Sequence, residues 1–232
     1  MDVTPELLSF FPLLKPLTQE ALMALAQAAV YEKHARRSVV LSAGLEANRL
    51  CLLFEGRLQA VDFTVDGREV GLYFVDRGDF CGELGLFDYG PQPEYVIALT
   101  PSVVVSIPLD DFRNHAMEHS ATVTALGQRL AKRLRQMSQQ RTLLGMPNIS
   151  QRVCCQLWEL LPEGSRSLLR GSIRNPPTHM EIAIMLNLSR ETVTRVFQVL
   201  QNQDVLRRAG SQELEIPDLA RLKALAEGVQ EL

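Results

Sequence analysis

The sequence predicts an α+β protein in which a small β-roll with N-terminal helices precedes a long helix and a C-terminal winged helix-turn-helix. Between Ser38 and Pro108, short apolar runs alternate with Gly and Asp turns, which is typical of a small all-β barrel or sandwich. After Pro108 the apolar spacing becomes helical, and near the C-terminus two short helices flank a tight turn. A chain of 232 residues is long enough for two domains. We expect the β-roll domain to cover residues 1–109 and the winged helix-turn-helix domain to cover residues 147–232, with a dimerisation helix over residues 110–146 between them.

The composition is that of an ordinary globular protein, with 46% hydrophobic and 22% charged residues. No stretch approaches the roughly 20 apolar residues that a membrane span needs. The first residues, MDVTPE, are acidic and lack the basic start and apolar run of a signal peptide. We therefore expect a cytoplasmic protein that does not bind membranes.

Charge is distributed unevenly along the chain, although the overall net charge is only −3. Residues 1–110 hold 8 Lys and Arg against 15 Asp and Glu, whereas residues 111–210 hold 14 against 7. This asymmetry indicates an acidic regulatory half and a basic half that faces phosphates. Chance variation between domains is the alternative interpretation.

The N-terminal half predicts short helices followed by strands. Helical spacing covers residues 6–30, and the strand-like runs cover residues 39–41, 50–54, 58–63, 70–74 and 103–107.

One helix is predicted from about Asp110 to Gly145. Along it, apolar residues recur every seven positions, with Leu126 and Leu134 beside them; they are Val123, Leu130, Met137 and Leu144. Such heptad spacing favours pairing with a second copy of the chain. The alternative is a helix packed on its own barrel. After the break at 145–148, Ser150 is expected to cap the next helix, and residues 162–177 are expected to form a loop with a short hairpin.

The C-terminal third carries the most specific pattern. Thr178 and Glu181 form a capping box for one short helix, and Asn187 suits the left-handed backbone of a turn. A second helix is expected over Arg190–Asn202, with its apolar face inward. Residues 206–208 and 213–216, on either side of Gly210-Ser211, predict a two-stranded wing.

Charged residues at the start of the second helix suit base reading in a major groove. Arg can hold guanine O6 and N7 with two hydrogen bonds, and Glu accepts from cytosine N4. The predicted DNA-binding residues are Thr178, Ser189, Arg190, Glu191, Thr194 and Arg195. Thr194 is expected to contact a phosphate or a thymine methyl. The competing interpretation is a helical hairpin with a solvated charged face.

Two segments, GDFCGELGLF at 78–87 and LSRETVTR at 188–195, make the chain resemble the cyclic-AMP receptor protein / fumarate-nitrate regulator (CRP/FNR) family from about Leu7 to Leu225. The resemblance implies a cyclic-nucleotide-binding-like β-roll and a homodimeric transcription regulator whose partners are double-stranded DNA and RNA polymerase. It implies that Arg190, Glu191 and Arg195 read a TGTGA-like half-site, repeated as a palindrome. In the roll, it implies that Glu83 holds a ribose hydroxyl and that Gly82 lets backbone approach a phosphate.

The effector pocket departs from that pattern. Cyclic-AMP binders of the family carry Arg-Ser about ten residues after the Glu83 position, whereas this chain has Gln92-Pro93-Glu94-Tyr95. Glu94 would repel a phosphate, and Met137 replaces a hydroxyl residue next to Ser138, so the cyclic-AMP mode is not expected. The effector-binding residues implied are Gly82, Glu83, Leu84, Glu94, Tyr95, Met137 and Ser138. The effector stays open: a cyclic dinucleotide, an uncharged metabolite, none at all, or a haem or metal.

Metal and enzyme chemistry find little support in the sequence. His115 and His119 are spaced i, i+4, but no Cys or third His lies near them, and the four cysteines show no CxxC pair. The C-terminal half has no P-loop, HExxH or Ser-His-Asp order. We therefore expect no metal site and no enzyme. The remaining alternative to a transcription regulator is a scaffold protein that binds ligands but no longer binds DNA specifically.

Overall fold

The computed structural model describes residues 2–210 and 212–232, and it divides into two compact units, residues 1–136 and 137–232. One long helix belongs to both units.

The N-terminal unit contains eight strands in two four-stranded antiparallel sheets. Their orders are β1-β8-β3-β6 and β2-β7-β4-β5. The strands are β1 Val30–His34, β2 Val39–Leu41, β3 Arg49–Glu55, β4 Leu58–Phe63, β5 Glu69–Val75, β6 Phe80–Cys81, β7 Tyr95–Ala98 and β8 Ser102–Pro108. The five predicted strands are confirmed, and the structure adds β1, β6 and β7.

Helices cover one side of this β-roll. They are α1 Pro5–Ser9, α2 Gln19–Ala28, α3 Gly85–Asp88, α4 Leu109–Ala116 and the start of α5 Ser120–Leu144. Thr4 and Thr18 cap the first two helices, since each side chain accepts a hydrogen bond from a backbone N–H of the first turn. One core lies between these helices and sheet residues such as Leu52 and Ile107, and a second core, which contains Leu58 and Val96, lies in the interior of the roll.

The prediction of one helix from Asp110 to Gly145 is wrong at its start. The chain turns at Met117, Glu118 and His119, which separates α4 from α5. The reason is packing, because Phe112 of α4 and Leu126 of α5 are both fully buried in the helix-covered core of the roll. Leu126 therefore does not extend the exposed apolar stripe of α5 as predicted.

The C-terminal unit is a helical cluster with a small sheet. Its elements after α5 are α6 Ile149–Glu159, a 3₁₀ turn Glu163–Ser165, β9 Gly171–Arg174, α7 His179–Leu186, α8 Arg190–Asn202, β10 Arg207–Ala209, β11 Glu213–Ile216 and α9 Leu219–Ala226. Val153, Leu157, Phe197 and Leu222 belong to one core shared by α6, α8 and α9.

Two predictions for this unit are corrected. Asn148, not Ser150, caps α6, because its side chain accepts from the Gln151 backbone N–H at 3.1 Å. The wing has three strands rather than two, since β9 pairs with β11 over four residues in the order β10-β11-β9. The second residue of the predicted Gly210-Ser211 turn lies outside the described residues.

Among residues 2–210 and 212–232, no helix combines the length and hydrophobicity that crossing a membrane requires.

Candidate functional site

The helix-turn-helix forms as its local sequence dictates. The capping box of α7 is complete: Thr178 Oγ1 accepts from the Glu181 N–H at 3.3 Å, and the Glu181 carboxylate accepts from the Thr178 N–H at 2.9 Å. Asn187 adopts φ 51° and ψ 50°, the left-handed conformation predicted for the turn. Ser189 then caps α8 through the Thr192 N–H at 3.1 Å. The two predicted helices and their turn are confirmed.

Burial of one face of α8 exposes the other. Val193, Val196 and Phe197 pack into the core, so the first two turns present Arg190, Glu191 and Arg195 to solvent. With Thr194 and Gln198 these side chains line a shallow surface groove of about 310 Å³. The arrangement places two guanidinium groups and one carboxylate, the donors and acceptor that base edges require, at the exposed start of a helix.

The hydroxyl groups of the predicted set are engaged within the protein. Thr178 and Ser189 are exposed, but both side chains serve as helix caps. The Thr194 hydroxyl lies 2.9 Å from the Arg190 carbonyl oxygen and 2.9 Å from His179 Nδ1. The structure thus places the six predicted residues at the start of α7 and on the first turns of α8, where the charged side chains of Arg190, Glu191 and Arg195 are exposed.

His179 and Arg208 join this group, although sequence reasoning did not include them. His179 Nε2 lies 3.5 Å from Arg208 Nη2, and the His179 ring packs on Phe197 with centroids 4.4 Å apart. Burial, then Arg208 and Arg190, lower the pKa of His179. The only sequence signal was the placement of His179 directly after the cap, one helical turn before the apolar face begins.

In the β-roll, an arginine of α5 occupies the neighbourhood of Glu83. The fully buried Glu83 carboxylate forms an ion pair with Arg133, whose other nitrogen donates to the Phe80 carbonyl oxygen at 2.7 Å. The Arg133 guanidinium lies 4.0 Å from the centroid of the Tyr73 ring, and the Tyr73 hydroxyl donates to Glu94 Oε1 at 2.5 Å. Glu83 and Glu94 are thus two ends of one buried network.

The electrostatics of this network follow from its burial. Desolvation raises the pKa of Glu94, and it raises that of Tyr73 well above the usual value for a phenol. One turn earlier on α5, Arg129 pairs with Asp79, whose pKa is also raised by burial. Glu83 Oε2 and Arg133 Nε are buried without a hydrogen-bond partner among the described residues.

The other implied effector residues are placed differently. Gly82 has φ +84°, and a Cβ there would lie 2.5 Å from the Arg49 carbonyl oxygen. Leu84 is the residue that precedes α3. Tyr95, the first residue of β7, packs edge-on against Phe63, with the two ring centroids 5.5 Å apart. Met137 and Ser138 lie exposed on α5, in the other compact unit.

Within the described part of the chain, no group of three or more His, Cys, Asp or Glu side chains could hold a metal ion. The described cysteines are free, with Cys51, Cys81 and Cys154 buried.

Comparison with known proteins agrees with this geometry. Residues 31–119 match the cyclic nucleotide-binding domain, and residues 151–225 match the Crp-like helix-turn-helix domain. The Pasteurella multocida cAMP-activated global transcriptional regulator CRP is 28% identical over 179 residues, which cover 77% of this chain and 86% of that protein.

Solved structures show the same fold. FixK2 from Bradyrhizobium japonicum superposes with a TM-score of 0.71 at 22% identity, over 85% of this chain and 96% of that one. The c-di-GMP-responsive regulator CLP from Xanthomonas campestris superposes with a TM-score of 0.65 at 21% identity, over 85% of this chain and 98% of that one.

A roll of the cyclic-nucleotide-binding type, joined by a long helix to a helix-turn-helix with a small wing, defines a class of DNA-binding transcription regulators. Within that class, this chain is a member of the CRP/FNR family. Its members are transcription factors rather than enzymes, which agrees with the sequence prediction.

Proposed function

We propose that this chain acts as a homodimer that reads a TGTGA-like palindrome, with its activity tuned through an atypical effector pocket. The observation that carries the first part is the exposed triad of Arg190, Glu191 and Arg195 on the first turns of α8. Two such triads, related by a two-fold axis, fit half-sites about one helical turn of DNA apart.

The experiment is a fluorescence-anisotropy titration of a TGTGA palindrome and of a scrambled duplex of equal length. Arg190→Ala should weaken specific binding by about 1–3 kcal/mol and relax the preference at the guanine it contacts. Lys223→Ala on α9, an exposed cation paired with Glu227, is the matched control and should change little. Equal affinity of the wild type for both duplexes would refute sequence-specific reading.

The dimer is supported by the exposed apolar stripe of α5. Val123, Met137 and Leu144 recur at intervals of seven or fourteen residues and are 36%, 54% and 38% exposed in the single chain, and Leu134 beside them is 70% exposed. Apolar residues repeated at heptad spacing find their complement in the same stripe on a second helix. We accordingly propose residues 110–146 as the dimerisation segment, between an effector part at 1–109 and a DNA-binding part at 147–232. RNA polymerase is the further partner that we propose.

The effector pocket should favour a ligand that needs no phosphate anchor. Glu94 stands where a phosphate-binding pocket would need an arginine. Its carboxylate accepts a hydrogen bond from the Tyr73 hydroxyl, so it is not free to rotate away. The buried Glu83 Oε2, in contrast, leaves one acceptor for a ligand hydroxyl or amine.

Adenosine and cyclic AMP form a matched pair of ligands for testing this proposal, because they differ in the phosphate. In thermal-shift measurements, cyclic AMP should stabilise the protein no more than adenosine does, and cyclic di-GMP should be tested beside them. Stabilisation by cyclic AMP alone would show that the pocket anchors a phosphate after all.

A further inference from the structure

His179 lies where three elements of the C-terminal unit meet. It is the first residue of α7, and its ring contacts Thr194 and Phe197 of α8 and Arg208 of β10. The other three histidines of the sequence belong to the N-terminal unit, so His179 is the one histidine of the C-terminal unit. The ring is half-buried, while Arg208 itself is exposed.

The hydrogen bonds around the ring determine its tautomer. The Thr194 hydroxyl donates to the Arg190 carbonyl oxygen at 2.9 Å, so toward His179 it acts as the acceptor. Nδ1 therefore carries the proton, and Nε2 keeps a lone pair. Arg208 Nη2, which can only donate, lies 3.5 Å from that lone pair. A neutral ring satisfies both neighbours at once.

Burial and the neighbouring arginines favour the neutral form of the ring. The charged groups that act on it are Arg208 of β10 and Arg190 of α8, and both lower the pKa of His179 in addition to its burial. A protonated ring would offer Arg208 a second donor in place of an acceptor. The contact to Arg208 therefore depends on the neutral form.

We propose that His179 is a positioning residue for DNA recognition, which holds Arg208 of the wing beside Thr194 of α8 so that both elements meet the duplex as one unit. This proposal rests on the proposed function. An exposed arginine without an acceptor samples many rotamers, and the DNA backbone must then select one of them. Holding the guanidinium in advance favours a defined contact of Arg208 with one phosphate.

A double-mutant cycle measured by anisotropy tests the coupling. We expect Arg208→Ala to weaken binding of the palindrome about tenfold and to reduce the slope of log K against log salt concentration by about one. His179→Ala should have nearly the same effect on both quantities. Because both changes remove one contact, the double variant should bind less than about twofold more weakly than either single variant.

Two conservative variants separate the two contacts of the ring. The amide oxygen of His179→Gln can replace Nε2 as the acceptor for Arg208, whereas the shorter amide of His179→Asn replaces Nδ1 and reaches only Thr194. We expect the Gln variant to keep the wild-type salt slope and the Asn variant to lose about one from it. A merely structural role would lower thermal stability in both variants without separating their slopes. His115→Gln on α4 is the control.

The outcomes distinguish the two proposals. If the wild type fails to prefer the palindrome, the proposed function fails, and the positioning role fails with it. If the wild type does prefer it, but Arg208→Ala costs the same tenfold in the His179→Ala background as in the wild type, only the positioning role is overturned. In the free protein, an NMR titration should show that Arg208→Ala raises the pKa of His179, and an unchanged pKa would also contradict the contact.

Discussion

Removal of Arg133 should strongly destabilise the N-terminal unit. The side chains of Arg133 and Glu83 are 8% and 0% exposed, so Arg133→Met would leave a carboxylate buried without its cation. Loss of one partner of such a buried pair costs about 3–5 kcal/mol. The variant also loses a charged hydrogen bond to the Phe80 carbonyl oxygen and the stacking on Tyr73, which places the expected loss toward the upper end of that range.

Urea unfolding followed by circular dichroism measures this loss. With a slope of about 2 kcal/mol per molar urea, the midpoint should fall by roughly 2 M. Trp158, the single tryptophan, lies in the C-terminal unit, so its fluorescence should report a smaller shift than the dichroism does. Arg135→Met, which removes an exposed arginine of the same helix, serves as the control.

The double variant Arg133→Met/Glu83→Gln separates the charge from the packing. It removes both charges, and we expect it to recover more than half of the loss, since no carboxylate stays unpaired. A change of less than about 0.5 kcal/mol in Arg133→Met, the range of ordinary surface substitutions, would refute the reasoning.

Three further predictions concern the pocket, the helix stripe and the backbone. Because burial raises the pKa of Glu94, the folded state binds the proton of this carboxyl group more tightly than the unfolded state does. The contribution of Glu94 to the free energy of unfolding is therefore fully present at low pH and is lost as pH rises through the pKa of the folded state. The melting temperatures of the wild type and of Glu94→Gln should therefore be similar at low pH, whereas at neutral pH the Gln variant should melt at the higher temperature. A constant difference across the pH range would contradict a raised pKa of Glu94. Met137→Asp should shift sedimentation equilibrium toward monomer, since it places a charge in the apolar stripe, and an unchanged dimer would exclude this stripe as the seam. Gly82→Ala should lower thermal stability more than Gly67→Ala, because both glycines have positive φ, but a Cβ clashes only at Gly82. Equal losses of thermal stability would show that the positive φ angle, and not the close approach of the new Cβ to the Arg49 carbonyl oxygen, causes the loss.

Local signals in the sequence are sufficient to predict helix α8. Its bounds, Arg190–Asn202, agree with the prediction to the residue, and the capping box of Thr178 and Glu181 forms as expected. These features depend on residues within one turn of each other, where capping and apolar spacing are decisive.

Features that depend on distant parts of the chain could not be predicted in this way. The pairing of β9 with β11 joins residues about forty positions apart, and the insertion of Arg133 beside Glu83 joins residues fifty positions apart. The helical period continues through residues 117–119, so only packing of both α4 and α5 on the roll shows why the chain turns there. The contacts of His179 likewise need α7, α8 and the wing to be assembled first.

The third strand of the wing has a consequence for how recognition can change. Because β9 precedes α7 and β11 follows β10, their pairing places Arg174 opposite Glu213. These two residues are the ends of the segment that contains α7, α8 and β10. Helix α8 lies within that segment, and its exposed residues Arg190, Glu191 and Arg195 take no part in the pairing of β9 with β11. Under the proposed function, a new set of outward residues on α8 would alter the preferred DNA sequence while the pairing of β9 with β11 stays unchanged.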